Sequence, residues 1–196
     1  MPTPLRVVAI NTSARKGGNT TILLRTVLDV LEAEGIQTEL IETSGHTVLP
    51  CRACRECSIK KNRLCSQTSD FGNTLIQKMD QADGILLGSP TYVTDVTSEM
   101  KALIDRACLV SGANGGIFRR KVGAAAVAVR RAGSIHAFDT INHFFLISQM
   151  IVPGSSYWNI GIGREPGDVL HDEEGLRTMR ILGQNMAWLL KALPRN

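Results

Sequence analysis

Residues 6–35 read RVVAINTSARKGGNTTILLRTVLDVLEAEG, and this stretch decides the fold. It begins with a short apolar run at 6–11, which predicts a buried β-strand. A polar loop follows, and then a segment with apolar residues at helical spacing predicts a helix over 19–34 that ends at Gly35. A strand, a short loop and a helix in this order are the first half of the unit from which parallel sheets are built.

The same alternation of strand-like and helix-like segments continues along the chain. The apolar, β-rich runs predict strands at 6–11, 38–42, 84–89, 122–129 and 149–152. The segments of helical periodicity predict helices at 19–34, 71–82, 97–110, 134–148 and 173–193. We therefore expect an α/β fold with a doubly wound, flavodoxin-like, five-stranded parallel sheet in the order 2-1-3-4-5. The length of 196 residues predicts a single domain over 1–196.

Composition excludes several classes of protein. Hydrophobic residues make up 43% of the chain and charged residues 20%, a globular balance. The net charge of +4 is slight and the basic residues form no long tract, so we expect no nucleic-acid partner. The first ten residues lack the apolar segment of a signal peptide, and no run of about 18 apolar residues occurs. These features predict a cytoplasmic protein that does not span a membrane.

The loop between the first strand and the first helix, NTSARKGGNTT at 11–21, has the chemistry of a phosphate site. Free N–H groups and the dipole at the start of a helix favour an anion, and Arg15 can pair with phosphate oxygens. We call residues 11–21 the phosphate loop. It matches neither the nucleotide-triphosphate loop nor the dinucleotide fingerprint, so it predicts a monophosphate. A plain capped connection between strand and helix is the alternative.

Two further loops follow predicted strands and reach the same edge of the sheet. The first, GSPTYV at 88–93, stands at the carboxyl end of the third strand, where ligands bind in open α/β sheets. The second, RRAGS at 130–134, follows the fourth strand. A turn with a core tyrosine and a solvent-exposed basic loop are the respective alternatives. On the next helix, Lys101 and Asp105 predict an i,i+4 pair, and neither they nor Arg106 are assigned to the site.

A third loop, 43–70, is longer than an ordinary connection between a strand and a helix, and it is rich in cysteine. Residues 51–65 read CRACRECSIKKNRLC, which gives the spacing C-x2-C-x2-C-x7-C. Four cysteinates can hold a [4Fe-4S] cluster, and the basic residues between them favour ionised thiols. A zinc site also uses four cysteines, and metal-free thiols are the third alternative. We call residues 43–70 the cysteine loop.

The phosphate loop resembles the S-x-R-x-x-G-N-T loop of the NADPH-dependent FMN reductase family, and 88–93 resembles the S-P-x-Y stretch of that family. The resemblance implies a flavodoxin-like fold that binds FMN. It implies that the FMN phosphate is held by Ser13, Arg15, Asn19, Thr20 and Thr21. It also implies that the flavin ring is contacted by Pro90, Thr91, Tyr92 and Val93, and by the loop at 130–134 through Arg130, Arg131 and Gly133.

The compact cysteine spacing, placed after the second strand, is similar to that of the iron-sulfur flavoproteins, a branch of the same family. The resemblance implies a [4Fe-4S] cluster held by Cys51, Cys54, Cys57 and Cys65, although the gap of seven residues before the last cysteine is longer than in the type member. It implies an FMN-dependent oxidoreductase or electron-transfer protein, a homodimer or homotetramer, that serves a ferredoxin-like or small-molecule redox partner. The alternatives are a cluster-free reductase that uses NAD(P)H as donor for FMN, quinones or nitro-compounds, and a non-enzymatic electron carrier or redox sensor. No catalytic residue is assigned.

Overall fold

A computed structural model describes residues 4–194. The strands are β1 (Arg6–Asn11), β2 (Gln37–Glu42), β3 (Gly84–Pro90), β4 (Val122–Val129) and β5 (Ile160–Ile162). The helices are α1 (Asn19–Ala33), α2 (Glu56–Lys60), α3 (Gly72–Gln81), α4 (Ser98–Ala113), α5 (Ser134–Ile147) and α6 (Glu173–Ala192). A single 3-10 turn, Asp168–His171, precedes α6.

The five strands form one parallel sheet in the order β2-β1-β3-β4-β5, which confirms the predicted topology. The helices cover both faces: α1 and α6 pack on one side, and α3, α4 and α5 on the other. The inner strand β4 is buried along its whole length because it is covered twice, and its alanines leave room for the helices. At Gly123 a Cβ atom would lie 2.8 Å from the ring of Phe145, so glycine lets α5 approach the sheet.

The predicted position of the fifth strand is wrong. Gln149 is left-handed, with φ of 57°, and its N–H bonds to Leu146 O, so the run 149–152 begins as the C-terminal stop of α5. Within this run only Ile151 makes a bridge, to Val122. The fifth strand is instead Ile160–Ile162, which pairs with the last three residues of β4. The carboxyl end of the fifth strand, and the loop that follows it, therefore lie ten residues later than expected.

The other predicted elements agree with the structure to within a few residues, but two short helices were missed. The helix α2 lies inside the cysteine loop, and the 3-10 turn follows β5. Both are brief and surrounded by polar residues, so neither leaves a periodic apolar pattern. Among residues 4–194, each helix is too short or too polar to cross a membrane.

Candidate functional site

The carboxyl ends of β1, β3, β4 and β5 meet around one open cleft of about 370 Å³, within the range of small-molecule sites. Most of the residues expected to hold the cofactor line it: Ser13, Arg15, Asn19, Thr20, Pro90, Thr91, Tyr92 and Arg130. Thr21, Val93, Arg131 and Gly133 do not. The loop after β5 adds a wall that sequence reasoning missed: Gly163, Arg164, Glu165 and Pro166. The loop was missed because the fifth strand was expected at 149–152, ten residues before its actual end.

Hydrogen bonds between main chain and side chains within the phosphate loop fix its conformation. Ser13 N donates to Asn11 Oδ1 at 2.9 Å, and Arg15 N donates to Ser13 Oγ at 3.1 Å. The following helix α1 starts after Gly18 with no side-chain cap. The first N–H groups of a helix have no partner within the helix, so here they are available to an anion in the cleft. Arg15, Arg130 and Arg164 place positive charge around it, opposed by Glu165.

The side chain of Asn19 ties the phosphate loop to the loop after β5. Its Nδ2 donates to Glu165 O at 2.9 Å, and its Oδ1 accepts from Gly167 N at 2.9 Å and from Val169 N at 3.4 Å. A Cβ atom on Gly163 would lie 2.7 Å from Asn19 Nδ2, so glycine is needed for this approach. Because the Asn19 amide is occupied on both sides, a ligand would meet the main-chain N–H of Asn19 rather than its side chain.

Thr21 turns away from the cleft. Its hydroxyl donates to Glu42 Oε1 at 2.6 Å, and Gly17 N donates to the same oxygen at 3.1 Å. Burial alone would raise the pKa of Glu42, but the hydrogen bonds from Thr21, Gly17 and Asn11 lower it below its ordinary value. Glu42 is thus a charged support behind the phosphate loop, at the carboxyl end of β2.

The loop after β3 presents Pro90, Thr91 and Tyr92 to the cleft. Thr91 Oγ1 is buried and has no hydrogen-bond partner within residues 4–194, which leaves a hydroxyl to be satisfied. Val93 is 97% exposed and left-handed, with φ of 48°, because two backbone hydrogen bonds between Tyr92 and Asp95 close a tight turn. Its side chain therefore projects into solvent beside the cleft.

The loop after β4 divides between two surfaces. Arg130 lines the cleft, whereas Arg131 lines a neighbouring groove with Tyr157 and Trp158. Gly133 is the N-cap that precedes α5, with φ of 87°, and a Cβ atom there would lie 3.0 Å from the Cα of Thr94. The loops after β3 and β4 are thus packed together at a position that requires glycine.

The four cysteines of the cysteine loop line one cavity of about 240 Å³ between that loop and α4. We call it the cysteine cavity; Arg106, Leu109 and Val110 form its α4 wall. All four are free thiols, and within residues 4–194 no three metal-ligating side chains close on a single point. Non-glycine residues in the left-handed region are concentrated in this loop, at Ala53, Arg55, Lys61 and Arg63. Such strain collects at functional sites.

Each of the four sulfur atoms has a polar group near it, including Gln67 Nε2 beside Cys65 Sγ and Leu109 O beside Cys57 Sγ. Ala53 N donates to Cys51 Sγ at 3.4 Å, and Cys54 Sγ lies 3.3 Å from Ser66 Oγ. The hydrogen bond with Ser66, together with one from the main chain of Glu56, lowers the pKa of Cys54. Four thiols around one cavity, with donors directed at sulfur, fit the ligand set of an iron-sulfur cluster.

A buried ion pair lies beneath this cavity, and sequence reasoning missed it. Lys101 and Asp105 form the exposed pair that was expected, with Nζ 2.6 Å from Oδ1. Arg106, however, points to the opposite side of α4, where its side chain and that of its partner Asp70 are both 0% exposed. The sequence does indicate that Arg106 is buried, because it shares a helix face with the apolar Leu103 and Val110.

Several known proteins are similar to this chain in sequence or in fold. The family model described as NADPH-dependent FMN reductase matches residues 5–165. An iron-sulfur flavoprotein of Methanocaldococcus jannaschii is 37% identical over 97% of this chain and 100% of its own. In fold, RosB bound to 8-demethyl-8-formylriboflavin-5'-phosphate aligns with a TM-score of 0.75 at 20% identity, over 95% of this chain and 79% of that one. A flavodoxin from the domain Archaea aligns with a TM-score of 0.62 at 16% identity, over 95% and 99% of the two chains.

Proposed function

This chain belongs to the NADPH-dependent FMN reductase family, in its iron-sulfur flavoprotein branch, and is a flavin-dependent oxidoreductase; from this premise we propose that it couples FMN to a [4Fe-4S] cluster. The arrangement that carries the FMN proposal is the uncapped start of α1, which faces the cleft beside Arg15. A phosphate there would accept hydrogen bonds from main-chain N–H groups and from a guanidinium.

In this proposal, different residues of the cleft bind the phosphate and the ring of FMN. Ser13, Arg15, Thr20 and the main chain of Asn19 hold the phosphate. Pro90, Thr91 and Tyr92 lie along the ring, with the Thr91 hydroxyl as a donor that has no other partner within residues 4–194. Arg130 offers a positive charge that would stabilise the reduced ring. When bound, FMN supplies the capacity to exchange electrons with a redox partner.

Four of the expected residues do not line the cleft, and in this proposal they act through their neighbours: Thr21, Val93, Arg131 and Gly133. Thr21 holds Glu42 behind the phosphate loop, and Gly133 locks the two ring-side loops together. Val93 and Arg131 lie on the rim, where an exposed valine and a cation would meet a partner molecule.

The cluster is proposed for Cys51, Cys54, Cys57 and Cys65, because these four thiols share the cysteine cavity. A cluster supplies a one-electron route between an external donor, such as a ferredoxin-like protein, and the flavin. Ala53 N and Ser66 Oγ would bond to the ligating sulfurs and favour their ionised form. Free thiols of this kind persist in a reducing compartment, so the proposal includes a cytoplasmic location.

The deciding experiment is an absorption spectrum of anaerobically purified protein, with analysis of FMN, iron, acid-labile sulfide and zinc. We expect bound FMN together with about four iron and four sulfide per chain, as one cubane requires. Flavin without iron or sulfide, with steady oxidation of NADPH by a quinone or nitro-compound, would favour the cluster-free reductase. Zinc in place of iron would assign the cysteines to a structural site, and absence of FMN after reconstitution would overturn the whole proposal.

We further propose that the chain works as one domain that assembles into a homodimer or homotetramer. Large apolar side chains are exposed near the cleft and on α6, including Tyr157, Trp158, Ile162 and Trp188. Exposed apolar surface of this kind is typical of interaction sites. Sedimentation of the FMN-loaded protein measures the assembly, and a mass of 21.3 kDa, that of one chain, would contradict it.

A further inference from the structure

Arg106 is a buried cation that shares the cysteine cavity with the four thiols. The residue is 1% exposed, and its charge is opposed by a single carboxylate, that of Asp70. Room for the guanidinium depends on Gly72, the first residue of α3, because a Cβ atom there would lie 2.3 Å from Arg106 Nη1. A charge so buried is costly unless the fold uses all of its donors.

The guanidinium joins the two ends of the cysteine-bearing stretch. Nη1 donates to Leu49 O at 3.2 Å, and Nη2 donates to Gln67 O at 3.1 Å. Leu49 stands two residues before Cys51, and Gln67 two residues after Cys65. Asp70 completes the junction by accepting from Leu49 N at 2.6 Å and from Arg106 Nη1.

One donor of Arg106 is left over. Nε is buried and has no hydrogen-bond partner within residues 4–194. Arg106 and Cys65 line the same cavity, and Gln67, whose carbonyl oxygen accepts from Arg106 Nη2, lies two residues after Cys65. The positive charge therefore lies on the side of the cavity where the fourth cysteine of the proposed cluster stands.

We propose that Arg106 is a positioning residue for the iron-sulfur cluster: it holds both ends of the cysteine loop and places a buried positive charge with a spare N–H behind Cys65. This inference rests on the proposed cluster. When an external low-potential reductant adds one electron, the thiolate-ligated cluster gains one negative charge and no bond is broken. Arg106 stabilises that added charge and so raises the reduction potential, whereas Asp70 opposes it.

The test compares Arg106→Gln and Asp70→Asn with the wild-type holoprotein in dithionite titrations followed by electron paramagnetic resonance. Arg106→Gln removes the positive charge, and we expect the equilibrium constant for one-electron reduction to fall about tenfold, a shift of about 59 mV to lower potential. Asp70→Asn removes the negative charge but keeps an acceptor for Leu49 N, so the shift should have the opposite sign. Lys60→Gln, an exposed charge in the same loop, is the control, with a smaller shift because water screens it.

Opposite shifts in the two variants support the proposal, since mere loosening of the loop would not depend on the sign of the charge removed. Unchanged potentials, or shifts in the same direction, would overturn it. If Arg106→Gln loses iron, Arg106→Lys, which keeps the charge, should retain the cluster, and loss from both would overturn the electrostatic role. FMN content and the thermal midpoint confirm folding in each variant. Wild-type protein without iron would instead overturn the proposed function, and the inference with it.

Discussion

The FMN cleft and the cysteine cavity are both formed by loops that follow parallel strands, but they are held in place by different means. The cleft is assembled from four short loops that are held by local hydrogen bonds, such as Ser13 N to Asn11 Oδ1, and by contacts with one another, such as Asn19 Nδ2 to Glu165 O. The cysteine cavity is one side of a single long loop, joined at its two ends by a guanidinium from α4. Sheet topology alone brings the loops of the first site together, whereas the second also relies on side chains of α3 and α4 that bond to the cysteine loop, among them the buried Arg106.

The buried ion pair offers the strongest way to break this contrast. Asp70→Ala leaves Arg106 buried without its carboxylate, so we expect the free energy of unfolding to fall by about 3–5 kcal/mol. Urea denaturation measures it. Asp105→Ala, which removes the exposed partner of Lys101, is the matched control and should cost no more than about 0.5 kcal/mol. Similar losses in the two variants would show that burial of the pair is unimportant.

The phosphate loop should respond in ligand binding rather than in folding. Arg15→Ala removes a charge-assisted contact worth about 1.5–3 kcal/mol, so FMN affinity should fall roughly 10- to 100-fold. Riboflavin, which has no phosphate, should bind both proteins equally. Fluorescence titration with the two flavins measures this, with the neighbouring exposed Lys16→Ala as control. An equal loss for riboflavin would place Arg15 at the ring rather than at the phosphate.

The link between the phosphate loop and the loop after β5 gives a smaller effect. Asn19→Ala removes the hydrogen bonds to Glu165 O, Gly167 N and Val169 N, which we expect to cost about 1–2 kcal/mol. Amide hydrogen exchange should then accelerate in residues 163–169 and stay unchanged in the cysteine loop. Faster exchange in both regions would mean that the two sites are coupled, which the contrast between them denies.

The smallest effect concerns Glu42. Because its pKa is lowered on folding, the carboxylate stabilises the fold above its unfolded pKa, and this contribution is lost as the pH falls through the folded pKa. Glu42→Gln should therefore lower the free energy of unfolding by up to about 1 kcal/mol at pH 7, and by less as the pH falls through the folded pKa. Unfolding curves at pH 7 and at a series of lower pH values measure the difference. A constant difference would assign the effect to packing instead.

The sequence predicted the sheet order and most of the cleft because these depend on local patterns. A buried strand followed by a polar loop and an amphipathic helix can be read within about 30 residues, and parallel topology then brings the loops to one edge. The fifth strand was misplaced because 149–152 is as apolar as a strand, while pairing with β4 selects Ile160–Ile162. The run 149–152 makes one bridge to β4, at Ile151, and local composition does not report which of two runs extends its pairing into a strand.

Arg106 and Asp70 could not be paired from sequence for a related reason. They stand 36 residues apart, and the helix face that Arg106 shares with Leu103 and Val110 indicates its burial but not its partner. Only the packing of α4 against the cysteine loop reveals that Asp70 is that partner. Asn19 is similar: the sequence marked it as a phosphate ligand, but its amide serves a loop some 150 residues away.

The meeting of Leu49 and Gln67 on one guanidinium has a consequence for how such a chain can change. The seventeen residues between them begin and end beside one guanidinium, so a change in their number does not require β2 and α3 to move apart. The entropy of closing a loop grows only slowly with its length, at about 0.6 kcal/mol for each doubling. The cysteine-bearing segment can therefore be replaced as a unit by a short turn or by a different insertion, while the strands and loops that form the flavin cleft keep their sequence.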